Sequence, residues 1–412
     1  MKRRELLGLS AAAVAALSGV SPARAAATLK LYHDKYFWQD FFKKMAAFAA
    51  GQGHPFDPTP YATDQYQAFI AAGIQAGTPP ELFTWWNGTK LAELVEADAL
   101  APMDPLWQAM IAAGEAQQSV ADLLKVDGKI YALPLAVNYW AVAYNKALFA
   151  KAGVAPPKTW ADLMDICAKL KAAGITPFNA TIQDGWRGFI WFEELLIRTD
   201  PDAYAKLNAG QIAYTSEPVK KVFQIWGDLY AKGYFTPATS NEEFLDFARG
   251  KAAMYLIGDW AYVNLRQDGL QPGSGFEAFI MPNITPGLPP SIIVEAAPLV
   301  ISKKGAQNPD VMSFAKWWMS TPAATEWAKD ASLSIGNPKV PAPNAVVAQL
   351  QETVARDHVK TITRYWEASP SDIVLPAVEQ FNKFMVNPTP AVATACMASI
   401  ERTARNYWSS KK

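Results

Sequence analysis

Residues 127–178 read DGKIYALPLAVNYWAVAYNKALFAKAGVAPPKTWADLMDICAKLKAAGITPF, and this stretch decides the fold. Ile130 to Pro134 is a short apolar strand closed by a proline, which has no N–H to give to a sheet ladder. Asn138, Tyr139 and Trp140 form a polar-aromatic loop between two apolar runs. Ala141 to Tyr144 is a second strand. Asn145 caps the helix that carries Leu148 and Phe149. Pro156 and Pro157 stop that element. Thr159 is the N-cap of a helix over Trp160 to Ala173, where Leu163, Ile166, Cys167 and Leu170 recur at helical spacing. Gly174 closes it. Strand, helix, turn and helix in this order predict an α/β chain.

Working outward, the run Y-A-L-P, then A-Y-N-K-x-L-F-x-K-A-G, P-x-T-W-x-D-L and K-L-K-A-A-G-I-T-P-F resembles the extracellular solute-binding proteins of sugar ABC importers (family 1, the maltose-binding-protein-like group). A second matching block is F-A-R-G-K-A-A-M-Y-L-I-G-D-W, Phe247 to Trp260. A third is Leu299 to Lys304 with the helix Asn308 to Ala328. The blocks come in the right order, and the resemblance covers nearly the whole chain after its leader. The resemblance implies a two-lobed periplasmic binding protein fold, class II-like, each lobe a β-sheet flanked by helices and joined by a hinge. It also implies a binder, not an enzyme, that clamps a sugar and hands it to permease subunits in the inner membrane.

The length of 412 residues fits two domains. Half of the residues are apolar and only 18% charged, enough for a large core. Thirty-eight basic residues balance 38 acidic ones, so no basic stripe marks the chain as a nucleic-acid binder. The same balance argues against a strongly charged ligand held by bulk field. The chain reads as a monomer without cofactor. Three histidines, His33, His54 and His358, stand apart from Cys167 and Cys396, so no zinc site is expected. The two cysteines form either a bridge or a pair of buried thiols.

Met1 to Ala25 reads as an export signal: Lys2, Arg3 and Arg4, an Ala-rich apolar stretch, then Ala23-Arg24-Ala25. Arg3-Arg4-Glu5-Leu6-Leu7 resembles a twin-arginine address, which predicts a periplasmic protein with a cleaved leader. A chain exported folded favours the thiols over the bridge. Predicted crossovers near residues 135, 282 and 340 divide the rest into 26–135 plus 283–338 and 136–282 plus 339–412. Phe276 to Met281 reads as a strand crossing back toward the first lobe.

In open α/β sheets, ligands bind beyond the carboxyl ends of the strands. That rule selects His33, Asp34 and Trp38 after the first strand, Trp85, Trp86 and Asn87 after Leu82 to Thr84, and Asp259 and Trp260 after Ala252 to Ile257. Gly88 would let backbone approach a ligand. Asn138 and Tyr139 join them from the central loop, Trp186 and Arg187 from the turn at 181–187, and Trp366 from Arg364-Tyr365-Trp366-Glu367, with Asp372 nearby. Asp64 reads as a helix N-cap; in the resembled family polar side chains at this place also reach the ligand. Glu295 is a lone carboxylate in an apolar run and needs either a cleft or a partner. A sugar presents an apolar face that indoles cover and hydroxyls that amides and carboxylates bond. Two other readings remain: a binder of a polyol or glycerol-phosphate-type solute, and a glycoside hydrolase, which needs two carboxylates about 5–9.5 Å apart.

Overall fold

The computed structural model describes residues 27–411, with the side chains of Phe37, Thr63 and Asp64 outside the described set. The segment 1–25, expected to be an export signal, therefore lies outside the described residues.

Nine strands form one continuous sheet. They are β1 (Leu29–His33), β2 (Phe56–Pro60), β3 (Leu82–Thr84), β6 (Ala132–Asn145), β7 (Thr176–Asn179), β8 (Ala252–Gly258), β9 (Phe276–Phe279), β10 (Ser291–Ile301) and β11 (Lys360–Thr363). A separate hairpin pairs β4 (Lys125–Val126) with β5 (Lys129–Ile130). Along the main path the order is β2-β1-β3-β10-β6-β8-β7, with β11 beside β10 and β9 beside β6. One half is built on parallel β1, β2 and β3. The other is built on parallel β7 and β8. Helices cover both. In the sheet, among the described residues, the halves are joined by β6 and β10, which run antiparallel from Ala132↔Val300 to Trp140↔Ile293. At about 3.3 Å per residue the 14 residues of β6 span about 45 Å, enough to pass through both lobes.

Two expectations are corrected here. The break at Pro134 and the loop at 138–140 do not exist: Ala132 to Asn145 is one strand. Pro134 lies opposite Pro298 at a register shift between Ala297 and Pro298, so neither proline breaks a bond that the other needed. Nearby carbonyls find donors off the ladder. Indole N–H groups of Trp107, Trp318 and Trp327 donate to the oxygens of Ala132, Pro134 and Leu135 at 2.8, 3.0 and 3.0 Å. Likewise, β9 does not cross back. It pairs with Val142–Asn145 of β6 inside the second half, and β10 itself makes the crossing. A third passage lies against the same place, where Val137 N–H donates to Ser334 O at 2.7 Å.

Local expectations around the core stand closer to what is observed. Asn145 accepts from Leu148 N–H. Thr159 and Asp162 form a capping box at the helix Trp160–Ala172, which buries Leu163, Ile166, Cys167 and Leu170. Asp64 is not an N-cap, because the helix Thr63–Gln75 starts before it, behind Ala62. Cys167 and Cys396 are both buried free thiols. Among the described residues no helix is long and apolar enough to cross a membrane.

His33 belongs to the core of the first lobe. Its ring stacks on Phe42 at 4.3 Å and Nε2 meets Gln39 Oε1 at 2.8 Å. Burial pushes its pKa down to about 4, against the opposing pull of Gln39 and Asp34. The folded chain therefore resists protonation that the unfolded chain accepts near pH 6.5, and stability contributed by neutral His33 is lost as pH falls from 6.5 through 4. That loss is about 3 kcal/mol for a shift of this size. Urea titrations at pH 7 and pH 4 should show a smaller acid loss for His33→Gln than for the wild type by that amount; parallel declines would show that His33 is not the cause.

Candidate functional site

Strand ends and the shared strands bring one set of side chains to the junction of the halves. From the first lobe come Asp34 and Lys35 beyond β1, Thr84 to Asn87 at the end of β3, and Lys90 in the first turn of the helix Thr89–Glu96. From the hinge come Asn138, Tyr139 and Trp140 of β6 and Glu295 of β10, with Glu295 paired directly across from Asn138. From the second lobe come Asp259 and Trp260 beyond β8, Trp186, and the segment 364–367.

Alternation along β6 sends Asn138 and Trp140 to one face and Tyr139 to the other. Trp140 Nε1 donates to Glu295 Oε2 at 3.3 Å. Arg364 NH1 donates to the same oxygen at 2.9 Å, and its Nε donates to Glu367 Oε2 at 2.7 Å. The guanidinium also lies 5.1 Å from the centre of the Trp140 ring. Burial works against the Arg364 charge, but Glu295 and Glu367 outweigh it and raise its pKa. In the first lobe, Lys35 Nζ donates to both Asp34 oxygens at 2.8 and 2.9 Å, and Thr84 Oγ1 donates to Asp34 Oδ1 at 3.1 Å. Lys35 also sits 5.4 Å from the Trp86 ring centre. Lys90 is buried, and burial lowers its pKa to about 8 against the pull of Glu93, Glu367 and Asp372. Lys35 and Arg364 are thus each paired with carboxylates, while the Lys90 ammonium bonds the Ser371 hydroxyl. Asp259 is buried without a cation beside it; burial lifts its pKa well above the carboxylate range although it accepts Tyr139 N–H at 3.2 Å.

The indoles form two groups. Trp140, Trp186 and Trp260 lie 6.0–6.5 Å apart, centre to centre, in tilted and edge-on contacts. Gly258 permits this cluster, since a Cβ there would fall 2.5 Å from the Trp260 indole nitrogen and 3.0 Å from the Trp140 ring. Trp85 and Trp86 form an edge-on pair at 5.0 Å in the first lobe. Among the described residues, both amide atoms of Asn138, which is 1% exposed, and the Trp366 indole nitrogen find no hydrogen-bond partner.

Several selected residues have other work. His33 is core. Trp38 is 3% exposed and sits edge-on to Trp327. Trp85 spends its N–H on Lys90 O at 3.0 Å, and Asn87 donates to Leu123 O. Arg187 is largely engaged within its own lobe: it pairs with Glu243 and with Asp184 at 3.2 Å, donates to Gln183 O at 2.6 Å, and covers the Trp186 ring at 4.4 Å, while its Nε is left without a partner among the described residues. Trp366 is flanked by the Lys90 ammonium at 5.2 Å and Phe189 at 5.8 Å, so neighbouring groups already meet its ring. Gly88 approaches not a ligand but the backbone of Glu367. Asp372 is exposed, and the Asp64 side chain lies outside the described set. Sequence reasoning passed over Lys35, Thr84, Lys90, Arg364 and Glu367. Each lies within three residues of a residue it selected, so a charge count around those loops would have found most of them. Among the described residues, no three His, Cys, Asp or Glu side chains are grouped to hold a metal.

Comparison with known proteins extends these observations. A sequence profile of bacterial extracellular solute-binding proteins matches residues 43–355. An uncharacterized ABC transporter extracellular-binding protein of Pyrococcus horikoshii is 30% identical over 213 residues, 50% of this chain and 48% of that one. A probable sugar-binding periplasmic protein of Brucella melitensis is 27% identical over 218 residues, 50% of each chain. The alignments thus span about half the length of these curated relatives. Among solved structures, a chitin oligosaccharide binding protein superposes with a TM-score of 0.78 at 20% identity, over 92% of this chain and 99% of that one. A solute-binding protein in complex with raffinose gives 0.75 at 14% identity, over 92% and 100%. At these identities the structures speak for a shared two-lobed fold. With the family profile covering most of its length, the chain belongs to the bacterial extracellular solute-binding proteins.

Proposed function

We propose that the protein is the substrate-binding component of an ABC importer, and that it captures a neutral sugar between its lobes and delivers it to the membrane permease. The observation that carries this reading is the buried amide of Asn138, with donor and acceptor both unpartnered beside an indole cluster on the shared strands. A buried polar group without partners costs about 1–3 kcal/mol, and a hydroxyl-bearing guest would return that. Hydroxyls both donate and accept, so one sugar edge satisfies an amide fully. The half-buried Trp186 offers the adjacent apolar surface. The pairing of Lys35 with Asp34 and of Arg364 with Glu295 and Glu367 leaves neither of these cations free for an anionic guest, which favours a neutral one. The names of relatives, a probable sugar-binding periplasmic protein among them, agree.

In this reading Asn138, Trp140, Trp186, Asp259, Trp260 and Glu295 line the sugar from the hinge and second lobe, and Asp34, Lys35 and Trp86 from the first. The lobes divide where β6 and β10 cross, so 27–135 with 298–333 moves against 138–291 with 340–411. The protein acts as a monomer in the periplasm, after export through the twin-arginine-like leader at 1–25.

Thermal shift against a panel of neutral mono- and disaccharides, glycerol 3-phosphate and sugar acids tests this. A neutral sugar at 100 times its Kd should stabilise the protein by ~2.7 kcal/mol, and the charged solutes should not. Trp186→Ala should abolish that shift and leave the solute-free melting point nearly unchanged. Stabilisation by the charged solutes alone would overturn the reading. A second outcome separates ligand contact from packing: Asn138→Leu should raise solute-free stability by about 1–3 kcal/mol in urea while weakening sugar binding at least tenfold. Unchanged affinity in that variant would remove Asn138 from the site.

A further inference from the structure

At one end of the cleft the lobes touch through groups that a solute does not need. The contact joins the start of the helix Thr89–Glu96 in the first lobe to the segment 364–371 of the second. Gly88 has φ +63°, and a Cβ there would fall 2.1 Å from the Glu367 carbonyl oxygen and 2.7 Å from its carbon. Only glycine permits both that conformation and that approach. The Thr89 hydroxyl donates into the carbonyls of Ser369 and Glu367 at 2.8 and 3.1 Å. Lys90 Nζ donates to Ser371 Oγ at 2.8 Å. Ser371 Oγ in turn donates to Glu93 Oε2 at 3.0 Å. Three consecutive positions of one lobe and Glu93 in the next turn of its helix therefore meet one short segment of the other.

The receiving segment is held rigidly by its own lobe. Tyr365 N–H donates to the buried Glu193 Oε2 at 2.6 Å. The Tyr365 and Tyr214 hydroxyls lie 2.7 Å apart. Arg364 grips the Glu367 side chain while the Glu367 carbonyl faces Gly88. The helix Tyr365–Ala368 and its C-cap Ser369 are thus a preset strike plate, and the carbonyls of Glu367 and Ser369 face the first lobe.

We infer that Gly88, Thr89 and Lys90 with Glu367, Ser369 and Ser371 form a latch between the lobes that favours closure independently of the solute. Its strength then sets how much of the sugar's interaction energy is needed to hold the lobes shut, and so tunes affinity and release from residues that never touch sugar. Lys90 connects latch to cleft, because the same ammonium that bonds Ser371 lies over Trp366. This rests on the clamp reading above, though not on the identity of the solute.

Small-angle scattering and amide hydrogen exchange on the solute-free mature protein test the latch. The wild type should contain a compact fraction with slowed exchange at 88–93 and 364–371. Thr89→Val should raise the open-to-closed ratio roughly 3- to 10-fold, the effect of one net hydrogen bond. Thr89→Ser, which keeps the hydroxyl, should restore it. Gly88→Ala should abolish the compact fraction; if that variant fails to fold, Ser371→Ala and Thr89→Val decide. Sugar dissociation, followed by tryptophan fluorescence, should quicken by the same factor as the ratio rises. A wild type as extended as its variants, or variants as compact as the wild type, would overturn the latch even where sugars still bind. A compact wild type and extended variants with no response to any sugar would keep the latch and sink the sugar reading instead.

Discussion

The architecture is arranged around one ladder, β6 against β10, the one sheet pairing among the described residues that runs through both lobes. Such a ladder has to be continuous enough to hold two bodies together and interrupted enough to bend between them. Pro134 opposite Pro298 supplies the interruption, since neither can donate to the other strand. The carbonyls left nearby are deep in the core, where an unmet polar group costs about 1–3 kcal/mol. Trp107, Trp318 and Trp327 meet them with indole N–H groups from three different helices. Much of the chain's wealth of tryptophan is therefore structural: large apolar bodies that fill the first lobe and carry a donor to the one strand that needs it.

The same ladder explains where the site lies. Side chains alternate along a strand, so the hinge presents Asn138 and Trp140 to one face and puts Glu295 directly across from Asn138. Those groups are fixed by main-chain pairing and keep their geometry whichever way the lobes turn. The partners that complete the site come from strand ends and loops, which move with a lobe. A clamp built this way holds its polar anchor at the pivot and brings its walls in from either side.

Electrostatics is handled by pairing within each body. Asp34 is held by Lys35 and Thr84 of its own lobe, and Arg187 by Glu243 of the other. Arg364 reaches across to Glu295 of the hinge strand while holding Glu367 beside it. Buried ion pairs contribute little net stability, yet removing one partner leaves an expensive charge. Their use here is to fix side-chain orientations at the junction of the halves.

Local signals in the chain were enough for its class and many of its elements. The Thr159–Asp162 capping box, the 3.6-residue recurrence of Leu163, Ile166, Cys167 and Leu170, and the strand Ala252–Gly258 followed by Asp259 and Trp260 all depend on neighbours within a few residues, so they are legible in the chain itself. Choosing strand ends as the ligand side also placed Asp34, Trp86, Asp259 and Trp260 at the junction. What needed tertiary structure was every feature whose partner is far away in sequence. Pro134 reads as a strand end until Pro298 and two distant indoles are set beside it. Arg187 reads as a free donor until Glu243 is. Gly88 reads as a place for a ligand until the Glu367 carbonyl fills it, 279 positions along the chain. Periodicity and capping act over one or two turns, whereas which buried polar group answers which is decided only when the two lobes are packed against each other.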